Sequence, residues 1–540
     1  MSEPRRFPTL ITTALTEPLM TASGDRDEAA LISRQSRLSF PLALHALIAS
    51  FTGLLLGFDL CIAGAILTPV QRSLHLCYPC PGDYSDDALA RCTCAEKQLA
   101  ISAVSIGAAV GALFGGLVAD IAGRRPALLA SDLLFALGGF AMACATPELS
   151  ALFFLGRGGV GLALGIGGSA ASAYLAEIAP AAWRGRFLEM NELGVCSGCL
   201  AAYAIAYFLG DERWRVSIGL TSAVALVQLL LIAAYLHESP AWLAARGLSR
   251  RAARAHAALG TAPVATSSSS SSSSNAAAAS SSDADAAPAA ADAAEEERSS
   301  LLCHQQSPSG LASPFKPLCE RGARRPLLLA LGVSLAHAAT AANTVLYYSR
   351  DILQLAGLSD PLRANGAVGL AKLAGVAAAL VLADRLGRRK LLLGGTAAMI
   401  VALVGLSVAF ADKDAPMPSL ALGSLLVFIL GWDVSWAGLM LAVVAEVLPL
   451  AVRGAGTGLA YSLYWVLSFV TAQFLETAMH SLGTSQTFAG IGVVTFLVLV
   501  WTKLCVPETA NKTLEEMAVD YEGSSDTAAV APASEVPKHV

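Results

Sequence analysis

Apolar residues run in stretches of about 20 along most of this chain, separated by short polar breaks. Reading those stretches places spans near 40–71, 98–119, 126–147, 150–180, 187–210 and 214–236. After a long hydrophilic interruption, six more follow near 326–354, 364–384, 390–411, 417–448, 455–480 and 484–506. Each is long enough to cross a bilayer as a helix, which predicts an all-α integral membrane protein of two six-helix bundles. Basic residues then orient it. Arg124/Arg125, Arg184/Arg186, Arg250/Arg251/Arg254, Arg388/Arg389/Lys390 and Arg453 follow the second, fourth, sixth, eighth and tenth spans. Every second loop is therefore basic, and both termini and the central linker are expected in the cytoplasm.

Composition agrees with a membrane protein. Charged residues are 14% of the 540 and hydrophobic ones 55%, where a soluble chain would carry about a quarter charged. Residues 1–39 are polar and mixed in charge, with no apolar core of a cleavable signal, and read as a disordered cytoplasmic N-terminus. The six-helix bundles then occupy 40–237 and 325–506. Between them, 238–324 holds the run Ser267–Ser274 and Glu295-Glu296-Glu297 and reads as a largely disordered linker, as does the tail 507–540. Asp27-Glu-Ala-Ala-Leu31-Ile32 and Glu297-Arg-Ser-Ser-Leu301-Leu302 are similar to acidic dileucine sorting signals of endosomal or vacuolar proteins. Nothing points to nucleic acid, and no cofactor motif, nucleophile–base pair or metal-ligand spacing points to an enzyme.

The two halves repeat one another. Gly116-Leu-Val-Ala-Asp120-Ile-Ala-Gly123-Arg124-Arg125 matches Asp384-Arg385-Leu386-Gly387-Arg388-Arg389. Glu177 with Pro180 and Arg184-Gly185-Arg186 matches Glu446 with Pro449 and Arg453-Gly454. Duplication on this scale in a membrane-grade sequence predicts a transporter of two homologous halves. The carboxylates Asp120, Glu177, Asp384 and Glu446 lie near Arg124, Arg184, Arg388 and Arg453. Ion pairs among them are expected to latch the halves together at the cytoplasmic face; the arginines also anchor topology. Gly53, Gly57, Gly111, Gly115 and Gly116 are expected to let helices approach closely.

Four cysteines, Cys77, Cys80, Cys92 and Cys94, crowd the loop after the first span, on the side expected to be exoplasmic. Two disulfides are the leading expectation there, with three pairings open. A small zinc site and free thiols are the alternatives.

Further motifs carry a resemblance. They are Gly53-Leu-Leu-Leu-Gly57-Phe58-Asp59, Gly156-Arg157-Gly158-Gly159, Glu238-Ser239-Pro240, Tyr347-Tyr348-Ser349 and Pro507-Glu508-Thr509, together with both Asp-x-x-Gly-Arg-Arg cassettes. With them the chain resembles the sugar porter family of the major facilitator superfamily across nearly all its membrane portion. The resemblance implies a monomeric carrier in the lipid bilayer that moves a hexose or related sugar by alternating access. In proton-coupled members an acid at the Asp59 position pairs with an arginine at the Arg157 position, so these two are candidates for proton coupling; a static ion pair is the alternative. Glu192 stands where most members carry a sugar-binding glutamine, and Lys372 where many carry an asparagine. Both substitutions are similar to the third class of animal facilitative glucose transporters. Opposite charges at the bilayer midplane favour a Glu192–Lys372 pair across the halves over two isolated charges facing water.

Departures concentrate in the pocket. His337-Ala338 replaces the family's paired glutamines, Ala241 replaces an arginine, and the Gly-Pro-x-Pro-Trp breaker of the tenth span is missing, so that helix is expected to lack its hinge. Glu192, His337, Asn343, Tyr348, Lys372 and Trp465 are the candidate solute-binding residues, with His337 equally readable as a packing residue. The rival solutes are another polyol, an ascorbate-like acid or an organic ion; a non-transporting sugar sensor is the rival of another class.

Overall fold

The computed structural model describes residues 39–77, 94–180, 183–261, 321–412, 415–448 and 452–508. Among them, twelve helices are long and apolar enough to cross a membrane. In the first half these are α1 (Phe40–Ala65), α2 (Ala95–Ala122), α3 (Arg124–Ala143), α4 (Ala151–Ile178), α5 (Gly185–Leu209) and α6 (Asp211–Tyr235). In the second they are α7 (Ala323–Tyr347), α8 (Pro361–Ala383), α9 (Arg388–Ala409), α10 (Pro418–Val447), α11 (Gly454–Ser481) and α12 (Thr484–Cys505). Leu155, Phe140, Val401 and Leu504 are exposed on the outer faces, the apolar surface that lipid covers in a multi-pass membrane protein. The dileucine-like segments lie outside the described residues.

Within the first bundle, α2 packs on α4, α1 on α5 and α3 on both α4 and α6; within the second, α9 packs on α10 and α12, and α7 on α11. The most extensive contacts between bundles are α2 with α11 and α5 with α8. Backbone proximity drives several of these. A Cβ at Gly53 or Gly57 on α1 would fall 2.1 or 1.8 Å from the carbonyl oxygen of Asn191 or Val195 on α5. Only a missing side chain permits that approach. Gly116 differs from the expectation, since its nearest neighbour for such an atom is the Gly454 carbonyl of the other half, at 3.7 Å.

Both cassettes terminate a helix and start the next by the same device. Gly123 (φ 107°) and Gly387 (φ 90°) adopt backbone angles that side chains disfavour, and turn the chain sharply. The Glu238 carboxylate accepts from the backbone N–H groups of Arg124 at 3.0 Å and Arg125 at 3.1 Å. Glu508 does the same for the Arg388 N–H at 2.9 Å. The Glu-Ser-Pro and Pro-Glu-Thr motifs thus supply remote caps to the exposed donors at the starts of α3 and α9.

Three segments depart from the sequence reading. First, α10 is interrupted with no proline in its interior: Asp433–Ala437 is one π turn. There Ser435 Oγ donates back to the Gly431 carbonyl at 2.7 Å, and Trp436 Nε1 donates to Thr396 Oγ1 at 2.8 Å. A wide turn held by such side-chain bonds breaks the regular ladder as a proline would. Second, α7 unwinds after Ala339, with Ala341 left-handed at φ 53°. Third, the interval after α6 is not all tether. Pro240–Ala245 and Ser249–Leu259 are helical, bury Leu243, Ala252 and Ala255 against one another, and are tied to the start of α1 by Ser39 Oγ donating to Leu259 at 2.6 Å.

Candidate functional site

A cavity of about 70 Å³, measured over the positions open to the centre of a water molecule, lies between the two bundles. Helices α1, α4 and α5 line it from one half, and α7, α8, α10 and α11 from the other. Of the six residues proposed from sequence, Glu192, His337, Asn343, Lys372 and Trp465 line it. Tyr348 is not among the lining residues. It is 1% exposed and its hydroxyl donates to the Ala472 carbonyl at 3.2 Å, because the chain unwinds upstream and turns that position away from the cavity.

One wall is aromatic. The His337 ring stacks on Tyr464 at 4.8 Å between centroids and lies 5.6 Å from Trp432 and 6.0 Å from Trp436. Asn343 Nδ2 donates to the Tyr464 hydroxyl, and Tyr461 stacks on Tyr464 at 5.8 Å. Several polar atoms around the cavity are buried without a hydrogen-bond partner among the described residues: Asn191 Oδ1, Trp432 Nε1 and both nitrogens of His337. Buried polar atoms are rarely left so. Here they face a cavity that a ligand or water can fill. His337 is therefore at once stacked and pocket-lining. Asn191, Trp432, Tyr461 and Tyr464 are lining residues that the sequence reading missed, since helical periodicity cannot tell a cavity face from a packed one.

The midplane charges pair differently from the expectation. Lys372 Nζ binds Asp433 Oδ1 at 2.8 Å, with both side chains fully buried, rather than Glu192. The π turn places Asp433 opposite α8, so Lys372 finds its counter-ion within its own half. The ammonium also lies 4.5 Å from the Trp432 ring centre, a favourable cation–π distance. Glu192 stands nearby on α5: a carboxylate oxygen of Glu192, Cys196 Sγ and a carboxylate oxygen of Asp433 lie within 4.8 Å of one another.

Asp59 and Arg157 meet beside the cavity, inside the first half. Arg157 Nη1 donates to Asp59 Oδ2 at 2.7 Å, and neither side chain is exposed. The guanidinium also donates to the Ala100 carbonyl at 3.1 Å and the Ile101 carbonyl at 3.3 Å on α2, while Asp59 Oδ1 has no hydrogen-bond partner among the described residues. The arginine is thus held by bonds to two helices, α1 and α2, and the acid by one contact.

At the cassette end, three ion pairs among the described side chains lie within a half. Arg124 binds Asp120 at 3.0 Å and Glu177 at 2.7 Å; Arg388 lies 3.6 Å from Glu446. The glycine turn sets each arginine at the first position of its helix, where it reaches back to the acids of its own bundle. The side chains of Arg184, Asp384 and Arg453 lie outside those described. Charged contacts across the halves sit at the opposite end, near the disulfide. Lys97 on α2 binds Glu476 on α11 at 2.6 Å and lies 3.2 Å from Asp351, just beyond α7. Arg350 grips both oxygens of Asp211, at 3.1 and 2.8 Å. The sequence reading began the second span at residue 98 and so treated Lys97 as loop.

In that same region Cys77 and Cys94 form a disulfide, while Cys80 and Cys92 lie outside the described residues.

With this geometry in place, comparison with known proteins is direct. Residues 45–521 match the family model described as "Sugar (and other) transporter". The chain is 27% identical over 472 residues to mouse solute carrier family 2, facilitated glucose transporter member 2, covering 85% of this chain and 84% of that one. It is 30% identical over 426 residues to D-xylose-proton symporter-like 2 of Arabidopsis thaliana, covering 77% and 81%. Its fold is that of the proton:xylose symporter XylE bound to 6-bromo-6-deoxy-D-glucose, with a TM-score of 0.69 at 20% identity over 90% of this chain and 100% of that one. The twelve helices and their cavity are therefore those of the major facilitator fold, and the chain belongs to the sugar (and other) transporter family.

Proposed function

We propose that the protein carries a neutral sugar or a closely related polyol across a membrane by alternating access, with a proton moving alongside. The observation that carries the reading is the cavity between the halves, where an aromatic wall meets buried, unpartnered donors and acceptors. A flat apolar ring face and several hydroxyls on one small molecule complement such a surface. Names among the relatives point the same way: glucose, xylose and myo-inositol transporters. Asp433 already balances Lys372, which favours a neutral solute over an anionic one.

Proton coupling rests on Asp59. Its only described counter-charge is Arg157, so protonating the acid releases an arginine that also ties α4 to α2. The positive-inside pattern supports cytoplasmic termini, and a disulfide at the other end supports an exoplasmic location there. The cavity is complete within one chain, which supports a functional monomer. Uptake by the reconstituted full chain across a panel of hexoses, pentoses, inositols and ascorbate, with and without a proton gradient, tests the reading. Accumulation of a sugar or polyol that collapses with the gradient is expected. Uptake of ascorbate alone, or of nothing in the panel, refutes it.

A further inference from the structure

We propose that Glu192 and Asp433 form a second proton-binding site, inside the solute cavity and assembled only when the two halves close over it. This inference rests on the transport reading above, but names residues and a step that the Asp59–Arg157 pair does not supply. Glu192 lies on α5 of the first half and Asp433 on α10 of the second, yet their carboxylates approach within 4.8 Å. Asp433 Oδ1 takes the Lys372 ammonium at 2.8 Å and the Cys196 thiol at 3.6 Å, while Oδ2 is buried with no hydrogen-bond partner among the described residues.

The charges facing this point do not cancel. From α5 come Glu192, Cys196 and, one turn earlier, Glu189; from α8, Lys372; from α10, Asp433. The titratable groups of α7 and α11 on the cavity are His337, Tyr461 and Tyr464, and α1 and α4 contribute no charge to its lining. Glu192 and Asp433 therefore share a single ammonium. Two carboxylates this close, Asp433 buried and Glu192 half-buried in the wall of the same cavity, do not both stay ionised, and the pair takes up one proton.

Closure decides whether that proton is held. Lys372 and Asp433 belong to the same half and move together, so their ion pair survives any rocking of one bundle on the other. Glu192 moves with the other half. Opening the cavity separates it from Asp433 and hydrates both, and the proton leaves. The closed state thus binds one more proton than the open state, so closure is favoured as pH falls, with the closed-to-open ratio changing up to about tenfold per pH unit.

The test needs no knowledge of the solute. Spin labels at Phe208 and Leu482, both exposed and at the disulfide end of opposite halves, report closure of the full-length protein in liposomes. Cys80, Cys92, Cys144, Cys303, Cys319 and Cys505 are replaced by serine beforehand, so that label goes only to the two introduced sites. In the parent protein the short-distance population grows as pH falls, and infrared difference spectra gain a protonated-carboxyl band. Glu192→Gln, a neutral isostere, is expected to stay closed at every pH and to lack that band. Asp433→Asn must also abolish the pH dependence, so the test stands if one variant fails to fold. A parent distance distribution indifferent to pH overturns the proposal, as does an unchanged slope or band in Glu192→Gln. Failure of every sugar to enter the same liposomes would count against the transport reading alone, because the closure signal is measured without solute.

Discussion

Lys97 offers the sharpest test of how the halves are held at the disulfide end. Its ammonium, 1% exposed, sits 2.6 Å from Glu476 and 3.2 Å from Asp351 across the bundle interface. Neutral bonds flank it: Gln98 donates to Thr477 at 2.7 Å, and Ser102 donates to Gln473 at 2.7 Å. Lys97→Met keeps most of the stem and removes the charge, stranding two carboxylates in a dry contact. Stripping one partner from a rigidly buried pair costs about 3–5 kcal/mol. This interface has an escape, since opening the disulfide end hydrates both acids. The loss therefore appears mainly as a shift of about 1–3 kcal/mol toward that open state, or about 5–150-fold in population. Distances between labels at Phe208 and Leu482 measure the shift directly. Adding Glu476→Gln removes one stranded charge and should recover part of the closed population. An unaltered distance distribution in Lys97→Met, or losses in the two variants that add within about 0.5 kcal/mol, would show that the cluster does not lock the halves.

Lys372 and Asp433 should behave as a coupled pair. Lys372→Asn or Asp433→Asn alone is expected to lower thermal stability by about 3–5 kcal/mol and the double variant to recover much of it, while a Lys372/Glu192 cycle is expected to show the smaller coupling; the reverse ranking would refute the assignment. Asp59→Asn is expected to abolish accumulation against a gradient while leaving solute exchange largely intact, measured as counterflow in proteoliposomes; loss of both would mean that Asp59 is needed for more than coupling. The Cys77–Cys94 bridge closes a loop with a sequence separation of 17, so Cys77→Ser should destabilise the protein by about 3 kcal/mol, and a peptide map made without reductant that found Cys77 alkylated would contradict the bridge. Glu238→Gln weakens the cap on α3 and should cost about 1 kcal/mol, read as a lowered midpoint in thermal melts; an unchanged midpoint would mean that backbone water replaces the carboxylate.

Much of this molecule was legible in the chain before any coordinates. Twelve apolar spans, a break after the sixth and two repeated cassettes predict two six-helix bundles, because a bilayer demands long, internally hydrogen-bonded apolar segments and leaves few other solutions. The pairing of Asp59 with Arg157 was implied by the resemblance to sugar porters, and the two side chains meet at 2.7 Å. The pairing expected for Lys372 failed. An unpaired charge was rightly expected to find a partner, but Glu192 was named and Asp433 was not considered, because nothing in the letters announced a π turn. Missing prolines predicted an unbroken α10, whereas Ser435 and Trp436 hold it open through bonds to Gly431 and Thr396.

The positions of the ion clusters divide along the same line. Sequence alone determined which residues carry charge, and it predicts that the arginine cassettes share one side of the bilayer. It could not determine which acids those arginines would meet, since Asp120, Glu177 and Glu446 are all within reach of a long side chain in some arrangement of the helices. Only the packed structure decided that Arg124 meets Asp120 and Glu177, that Arg388 meets Glu446, and that Lys97, Glu476 and Asp351 meet across the interface. The physical reason is one of range. Membrane insertion is selected by local apolar length, which a window of about 20 residues contains. A buried ion pair forms within about 3 Å between residues as far apart as 97 and 476, and such proximity exists only once every intervening helix has been placed.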